Sequence, residues 1–354
     1  MRSKRATIAV AFVILGMGIA IAATRLSFLQ GPAPSGSKRS DPAPEFVGIS
    51  RWLNSPPLTI EALRGKVVLV DMWTYSCINC IRTFPALKAM YERYHPAGLE
   101  IVGVHSPEFN FEKNPANVQA AIAQYKLPWP VAMDNDMETW RAYRNRYWPH
   151  VYVIDARGTI RFDQIGEGGH DQIQDRVRSL LTEAHAVLPT PVNFDEEGQS
   201  GQITPEIYAG IDRGSFVGTI ANPEGYGRAG RVVDYKRVGS SAIAKANDGQ
   251  FFLEGKWVAS DEYIEAAEDG AKLVLPFFAR DVFFVAASAS PVEVRLLLDG
   301  KSVATSVLGA DAADGVVRVS RSKLYRLIHV GAVEAHRLTL SANKGFKLYT
   351  FTFG

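Results

Sequence analysis

The stretch Val67-Val68-Leu69-Val70-Asp71-Met72-Trp73-Thr74-Tyr75-Ser76-Cys77-Ile78-Asn79-Cys80 decides the fold. Its first seven residues are an apolar run broken only by Asp71, the pattern of a strand buried on both faces. A helical stretch follows from residue 77 to about 94, with Pro85 inside it to kink it. Such a junction puts Cys77 at a helix N-terminus, where free backbone N–H groups and the macrodipole favour the thiolate. Two intervening residues place the sulfur of Cys80 one turn further on, close enough to attack a mixed disulfide. CxxC alone occurs by chance; at a strand-to-helix junction it is a specific signal.

Working outward, β-rich and helical runs alternate. Residues 99–104 read as the next strand, then helices over about 117–125 and 137–146, and a strand at 151–155. A turn at 156–159 leads back into 160–162, and a last helix covers about 171–186. Alternating units of this kind predict an α/β domain over 46–187. The pattern breaks at 188–202 (LPTPVNFDEEGQSGQ), the expected domain boundary. Beyond it, short runs at 272–278, 282–287, 292–298, 316–319 and 337–340 are separated by turn residues, with Asp299-Gly300 a hairpin signal. Residues 203–354 are therefore expected to form an all-β sandwich or jelly roll. That half holds no cysteine and no convergent acid–base cluster, so its expected task is to restrict where the first domain acts.

The N-terminal side carries its own message. Arg2, Lys4 and Arg5 precede an uncharged apolar run over 6–23, closed by Arg25. At 1.5 Å per residue this run nearly spans a bilayer core of about 30 Å. It reads as one transmembrane anchor or as a signal segment, since Ala20-Ile21-Ala22 resembles a cleavage site. Residues 1–5 are then cytoplasmic and everything after Arg25 is exported. Residues 24–45, rich in Pro, Gly and Ser from 30 onward, read as a linker. A net charge of +2 over 354 residues, without a basic patch interleaved with aromatics, speaks against nucleic acid.

Two cysteines cannot staple a chain of this length, so they form a local redox pair or half of a metal site. The seven histidines show no zinc-like spacing to them. Asp71 is costly to bury, and burial raises its pKa. Six residues before Cys77, it can lie beneath the pair and take a proton from the second thiol; the plainer reading is a partly solvated carboxylate at a sheet end. Trp148-Pro149, just before a strand, is a cis candidate, although a trans loop proline is the commoner case.

VVLVDMWTYSCINCIRTFP (67–85) resembles the thioredoxin superfamily, with Asp71, Trp73, Cys77, Cys80 and Pro85 on family positions. The resemblance implies Cys77 as nucleophile, Cys80 as resolving thiol and disulfide partner, Asp71 as buried proton acceptor and Pro149 as the cis-proline. It also implies a substrate surface around Trp73, Trp148 and Pro149. The segment between residue 104 and Pro149 resembles the TlpA-like branch, which implies bacterial envelope redox chemistry, mostly reductive. WTYSCINCIRTFP, GVHSPEF, YWPHVYVID and IGEG are similar to the soluble part of DipZ-type proteins, and ITPEIYAG and LYTFTFG to their second, carbohydrate-binding-module-like domain. DipZ-type proteins carry a multi-span electron-transporting domain; this chain has one apolar segment. A separate membrane electron donor of CcdA type is therefore the expected partner, beside protein thiols and disulfides of the envelope. Neither cofactor nor metal is expected.

Ile78 and Asn79, between the sulfurs, are candidates for tuning the potential, and Glu108 for tuning the thiols unless it is a surface loop carboxylate. Thr74-x-x-Cys77 imitates part of a peroxiredoxin motif, but Val70 stands where its early proline belongs. The competing class is a glycan- or protein-binding envelope protein on a thioredoxin scaffold with little redox activity. Trp257 and Tyr263 would be its first sugar platforms, although aromatics in a sandwich more often fill the core.

Overall fold

The computed structural model describes residues 37–194 and 202–354. The expected anchor at 6–23 lies outside them. Among the described residues, no helix is long and apolar enough to cross a membrane.

The first sheet runs β1 (Ser37–Pro42), β2 (Arg51–Leu53), β3 (Val67–Trp73), β4 (Leu99–His105), β5 (Val131–Met133), β6 (His150–Ile154) and β7 (Thr159–Ile165) in the spatial order β1-β7-β6-β3-β4-β5-β2. Every residue of β3 is buried, as a β-branched run flanked by strands and covered on both faces must be. It pairs in parallel with β4 and antiparallel with β6. Four helices accompany the sheet: α1 (Ile78–Tyr94), α2 (Pro115–Tyr125), α3 (Glu138–Ala142) and α4 (His170–Glu183). The start of α2 is specified locally: Asn114 accepts a hydrogen bond from the Ala116 amide at 3.0 Å, and Pro115 occupies the first helical position.

Two expectations change. Residues 37–42, assigned to the linker on composition, form the edge strand β1 against β7. Pro42, which offers no amide, closes that strand on the outer edge. The helix expected over 137–146 is only Glu138–Ala142, because the chain leaves it through Arg144 at φ 54°. Within the expected boundary, residues 188–194 are tied back to α4: Arg178 donates to the Pro189 carbonyl at 2.7 Å, and Gln174 exchanges two hydrogen bonds with the Val192 backbone.

The second sheet, eleven-stranded among the described residues, is antiparallel along its main pairings. Its two long strands were expected as shorter pieces. Ala271–Ala287 joins the runs expected at 272–278 and 282–287, pairing with Phe252–Ala259 by its first part and with Lys347–Phe353 by its last. Lys323–Ala342 runs alongside it, with the register shifting between Ala279 and Asp281. A bulge lets one strand bend between two layers, which is why periodicity alone breaks it in two. Two short helices, Ile211–Val217 and Ser240–Ile243, interrupt this otherwise all-β domain.

The run Val282–Ala287 joins the two domains. Val282, Phe284 and Ala286 point into the core of the second sheet. Phe283, Val285 and Ala287 point the other way, into the cluster that also holds Ile78, Ile81 and Phe84 of α1. Leu324 and Tyr349 join them. Phe283→Ala should therefore cost about 3–5 kcal/mol. In chemical denaturation monitored separately in each domain, both transitions should move together; a shift confined to one domain would refute the shared core.

Candidate active site

Asp71 sits near the middle of the ladder, opposite Gly103 of β4 and Val151 of β6. Its carboxylate is fully buried and neither oxygen has a hydrogen-bond partner. Burial alone pushes its pKa from 3.8 to about 7. The sheet-end, partly solvated alternative is thereby corrected: strands on both sides and α1 above leave no path for water.

Cys77 is the N-cap of α1, with its backbone extended and its side chain partly buried. Its sulfur accepts a hydrogen bond from the Cys80 amide at 3.4 Å, a weak charge-favouring contact of the kind helix N-termini supply. Cys80 is fully buried and unbridged. Burial drives its thiol pKa well upward, and Cys77 and Asp71 push it further by like charge. The two thiols thus differ in access, and the buried carboxylate is electrostatically coupled to the inner one.

Around the pair the remaining expected residues separate. The Trp148–Pro149 peptide is cis. The Pro149 carbonyl accepts from the Gly166 amide at 2.9 Å, while Trp148 packs on Trp140 and donates through Nε1 to the Ser106 carbonyl at 3.0 Å. Trp148 remains partly exposed, whereas Pro149 is buried among side chains. Trp73, expected at the substrate surface, is fully buried between Phe84 and His105 and has no face to offer a substrate. Gly103 makes room for it: a Cβ there would stand 2.8 Å from the Trp73 Nε1. Ile78 is buried and Asn79 partly exposed.

Glu108 is neither a free surface carboxylate nor turned toward the thiols. Its Oε1 accepts from Tyr208 Oη at 2.7 Å and from Arg213 at 2.5 Å, both in the second domain. Trp257 is likewise withdrawn, buried in the core of the second sheet with Nε1 donating to the Glu254 carbonyl. Tyr263 lies against Tyr349 with the Lys347 ammonium over its ring. Trp257 has no face to offer, so that expected sugar platform is corrected, whereas Tyr263 remains partly exposed.

Two further buried side chains lie beside the cysteine loop. His105, at the end of β4, is fully buried, stacks on Tyr75 and lies 3.3 Å from Thr74 Oγ1. Burial pushes its pKa down to about 3, so it is neutral. Glu112 is also fully buried and accepts from the Ser76 hydroxyl at 2.6 Å, immediately before Cys77. A lone Glu in a polar-looking loop carries no periodic signal, and only the fold shows what it touches.

Residues 40–163 match the AhpC/TSA family, and residues 204–354 match a family described as a thioredoxin-like C-terminal domain. Protein DipZ of Mycobacterium tuberculosis is 36% identical over 324 residues, covering 88% of this chain and 43% of its own length. The chain belongs to the thioredoxin superfamily and is DipZ-like. Thiol-disulfide oxidoreductase YkuV of Bacillus subtilis is 29% identical over 146 residues, 41% of this chain and 98% of that protein. The solution structure of a thioredoxin-like protein in the oxidized form is 31% identical, with a TM-score of 0.38 over 41% of this chain and 97% of that one. The chain thus spans less than half the length of DipZ and nearly all of YkuV.

A buried acid whose pKa is raised is ionised at a cost. In the unfolded chain Asp71 titrates near 3.9, so the folded state loses stability as pH climbs from there to about 7 and is level above. Asp71→Asn should remove that loss. Its stabilising effect in urea denaturation should be larger at pH 8 than at pH 5 by about 2–3 kcal/mol. An equal effect at the two pH values would mean that Asp71 is solvated.

Proposed function

We propose that this chain is a thiol–disulfide oxidoreductase working through Cys77 and Cys80, with protein disulfides as substrates. The observation that carries the reading is the asymmetry of the pair: an accessible thiol at a helix N-terminus above a buried one, with an unpartnered carboxylate below. Relatives named thiol-disulfide oxidoreductase, YkuV and ResA, support the class of enzyme.

In the reductive direction the Cys77 thiolate attacks one sulfur of a substrate disulfide and expels the other as a thiolate. The Cys80 thiol then gives its proton to Asp71 and attacks Cys77 Sγ. The Cys77–Cys80 disulfide forms, and the second substrate sulfur leaves as a thiolate. A carboxylate near pKa 7 is suited to such a transfer, since it can hold and release a proton close to neutral pH. The partly exposed Trp148 beside the cis-Pro149 peptide flanks the substrate side. Ile78 and Asn79 occupy the turn between the sulfurs and contribute to the potential.

The setting belongs to the same proposal. The basic start and apolar run over 6–23 support export, with the enzyme anchored at the inner membrane or released if that segment is cleaved. A membrane electron donor of CcdA type would return the pair to the dithiol. The competing reading, a glycan-binding protein on an inert scaffold, loses one of its two platforms, since Trp257 is buried in the core of the second sheet.

Cys80→Ser should accumulate mixed disulfides in the envelope fraction, on protein that stays with membranes after an alkaline wash if the anchor is retained. Cys77→Ser should accumulate almost none; equal trapping by both variants would overturn the assignment of nucleophile. For the direction of flow, equilibration with a redox buffer should give a potential in the reducing range of thioredoxin, about −270 mV. A value near −120 mV, that of a strong oxidant, would reverse it.

A further inference from the structure

The turn Asn110–Lys113 follows β4 and carries Glu112 into the space behind the cysteine loop. Each oxygen of its buried carboxylate takes two donors. Oε1 accepts from the Ser76 hydroxyl at 2.6 Å and from the Ser76 amide at 3.4 Å. Oε2 accepts from the backbone amides of Glu108 at 2.6 Å and Phe109 at 3.0 Å. Four donors and no acceptor describe a site built for the ionised acid, which alone can receive hydrogen bonds on both oxygens without presenting a proton.

The same turn is held from outside by the second domain. The Glu108 side chain is gripped by Tyr208 and Arg213, with the Arg213 guanidinium 4.4 Å over the Tyr208 ring. The Asn110 amide donates to the Glu262 carboxylate, and Tyr349 packs edge-on against Phe109 and Phe111. Tyr75, two residues before Cys77, reaches across to donate to the Ser322 carbonyl at 3.1 Å. A continuous path of contacts therefore runs from Arg213 and Tyr208 through Glu108 and Glu112 to Ser76, the neighbour of Cys77.

We infer that the second domain completes the redox centre, holding the Cys77 loop from behind through Glu108 and Glu112, with Glu112 a positioning residue for Cys77. This deepens the thiol–disulfide reading and rests on it for the role of Cys77. It replaces the expectation that residues 203–354 act only by restricting location. Burial and the nearby Glu108 raise the Glu112 pKa to about 7, so the clamp should loosen as pH falls through that value. The other ionisable groups facing this region are Tyr75 and Cys77 on the loop and the neutral His105 on β4. From the second domain come Tyr349, Glu262, Tyr208, the Arg213 cation and Glu206, whose carboxylate also accepts from the Tyr208 hydroxyl at 2.9 Å and whose pKa burial and Glu108 raise to about 8.

The test uses the full chain carrying Cys80→Ser, so that iodoacetamide reports on Cys77 alone. Glu112→Gln keeps the shape but turns an acceptor into an amide facing amide donors. At pH 8 it should slow alkylation about fivefold, the equivalent of one ordinary hydrogen bond. The inflection near pH 7 seen in the parent profile should be absent. Tyr208→Phe removes only a hydroxyl in the second domain and should slow the same reaction about threefold, within the range of coupling between connected sites. If Glu112→Gln does not fold, Ser76→Ala deletes the 2.6 Å donor instead and should give the same direction of change. Alkylation that follows the parent at every pH in Glu112→Gln or Ser76→Ala overturns the role of Glu112. An unaffected Tyr208→Phe beside a slowed Glu112→Gln overturns the part of the second domain. Shifts in alkylation with no disulfide turnover in the wild type would leave the hold on the Cys77 loop standing and sink the oxidoreductase reading.

Discussion

A carboxylate with no hydrogen-bond partner in the middle of a buried strand is the constraint around which the first domain is arranged. Asp71 can be kept there only because β3 is enclosed by β4 and β6 and covered by α1, which removes the water that would otherwise solvate it. That enclosure raises its proton affinity and lays a negative or protonated acid under Cys80. In the proposed mechanism, stability is given up for a group that exchanges a proton with the inner thiol, the kind of local conflict expected where chemistry is done. Cys77 needs the opposite treatment. It stands at the start of α1, where its sulfur meets the Cys80 amide and remains accessible.

The second domain is joined to the first by an ordinary device used twice. Along Val282–Ala287 alternate side chains enter two different cores, so one strand belongs to both. Along Glu108–Glu112 alternate polar contacts do the same, with side chains bound outward to Tyr208 and Arg213 and backbone amides bound inward to Glu112. Two domains that share an apolar cluster and a charged relay have little freedom to move apart, in contrast to domains linked only by a polar interface. The loop that carries Cys77 is consequently held from one side by β3 and from the other by residues more than a hundred positions away.

Much of this was legible in the chain itself. The strand at 67–73, the helix beginning at residue 78 and the strands at 292–298 and 316–319 follow from local pattern, because a doubly covered strand and a hairpin leave continuous or alternating apolar runs. CxxC at that junction, and Asp71 before it, could be singled out for the same reason. Composition misled at 37–42, where Ser, Lys, Arg and Asp form an edge strand that has only one neighbour to satisfy. The resemblance misled at Trp73, where an aromatic beside the cysteines proved to be core because Gly103 leaves space for it.

The continuous apolar run Val282–Ala287 did carry a sign of its second partner. A strand of an exposed sandwich alternates, and this one does not, because its outer face is covered by α1 and the loops of the first domain. What no local pattern could reveal is which face meets which. Glu112, Glu108 and Tyr208 are unremarkable residues in polar stretches, and they become a relay only when two chain segments about a hundred residues apart are packed together. The sequence by itself determined where a thiol pair starts a helix above a buried acid, since those features repeat within a dozen residues. The tertiary structure decided what holds that pair, since hydrogen bonds between distant segments depend on the register of packing and leave no periodic trace.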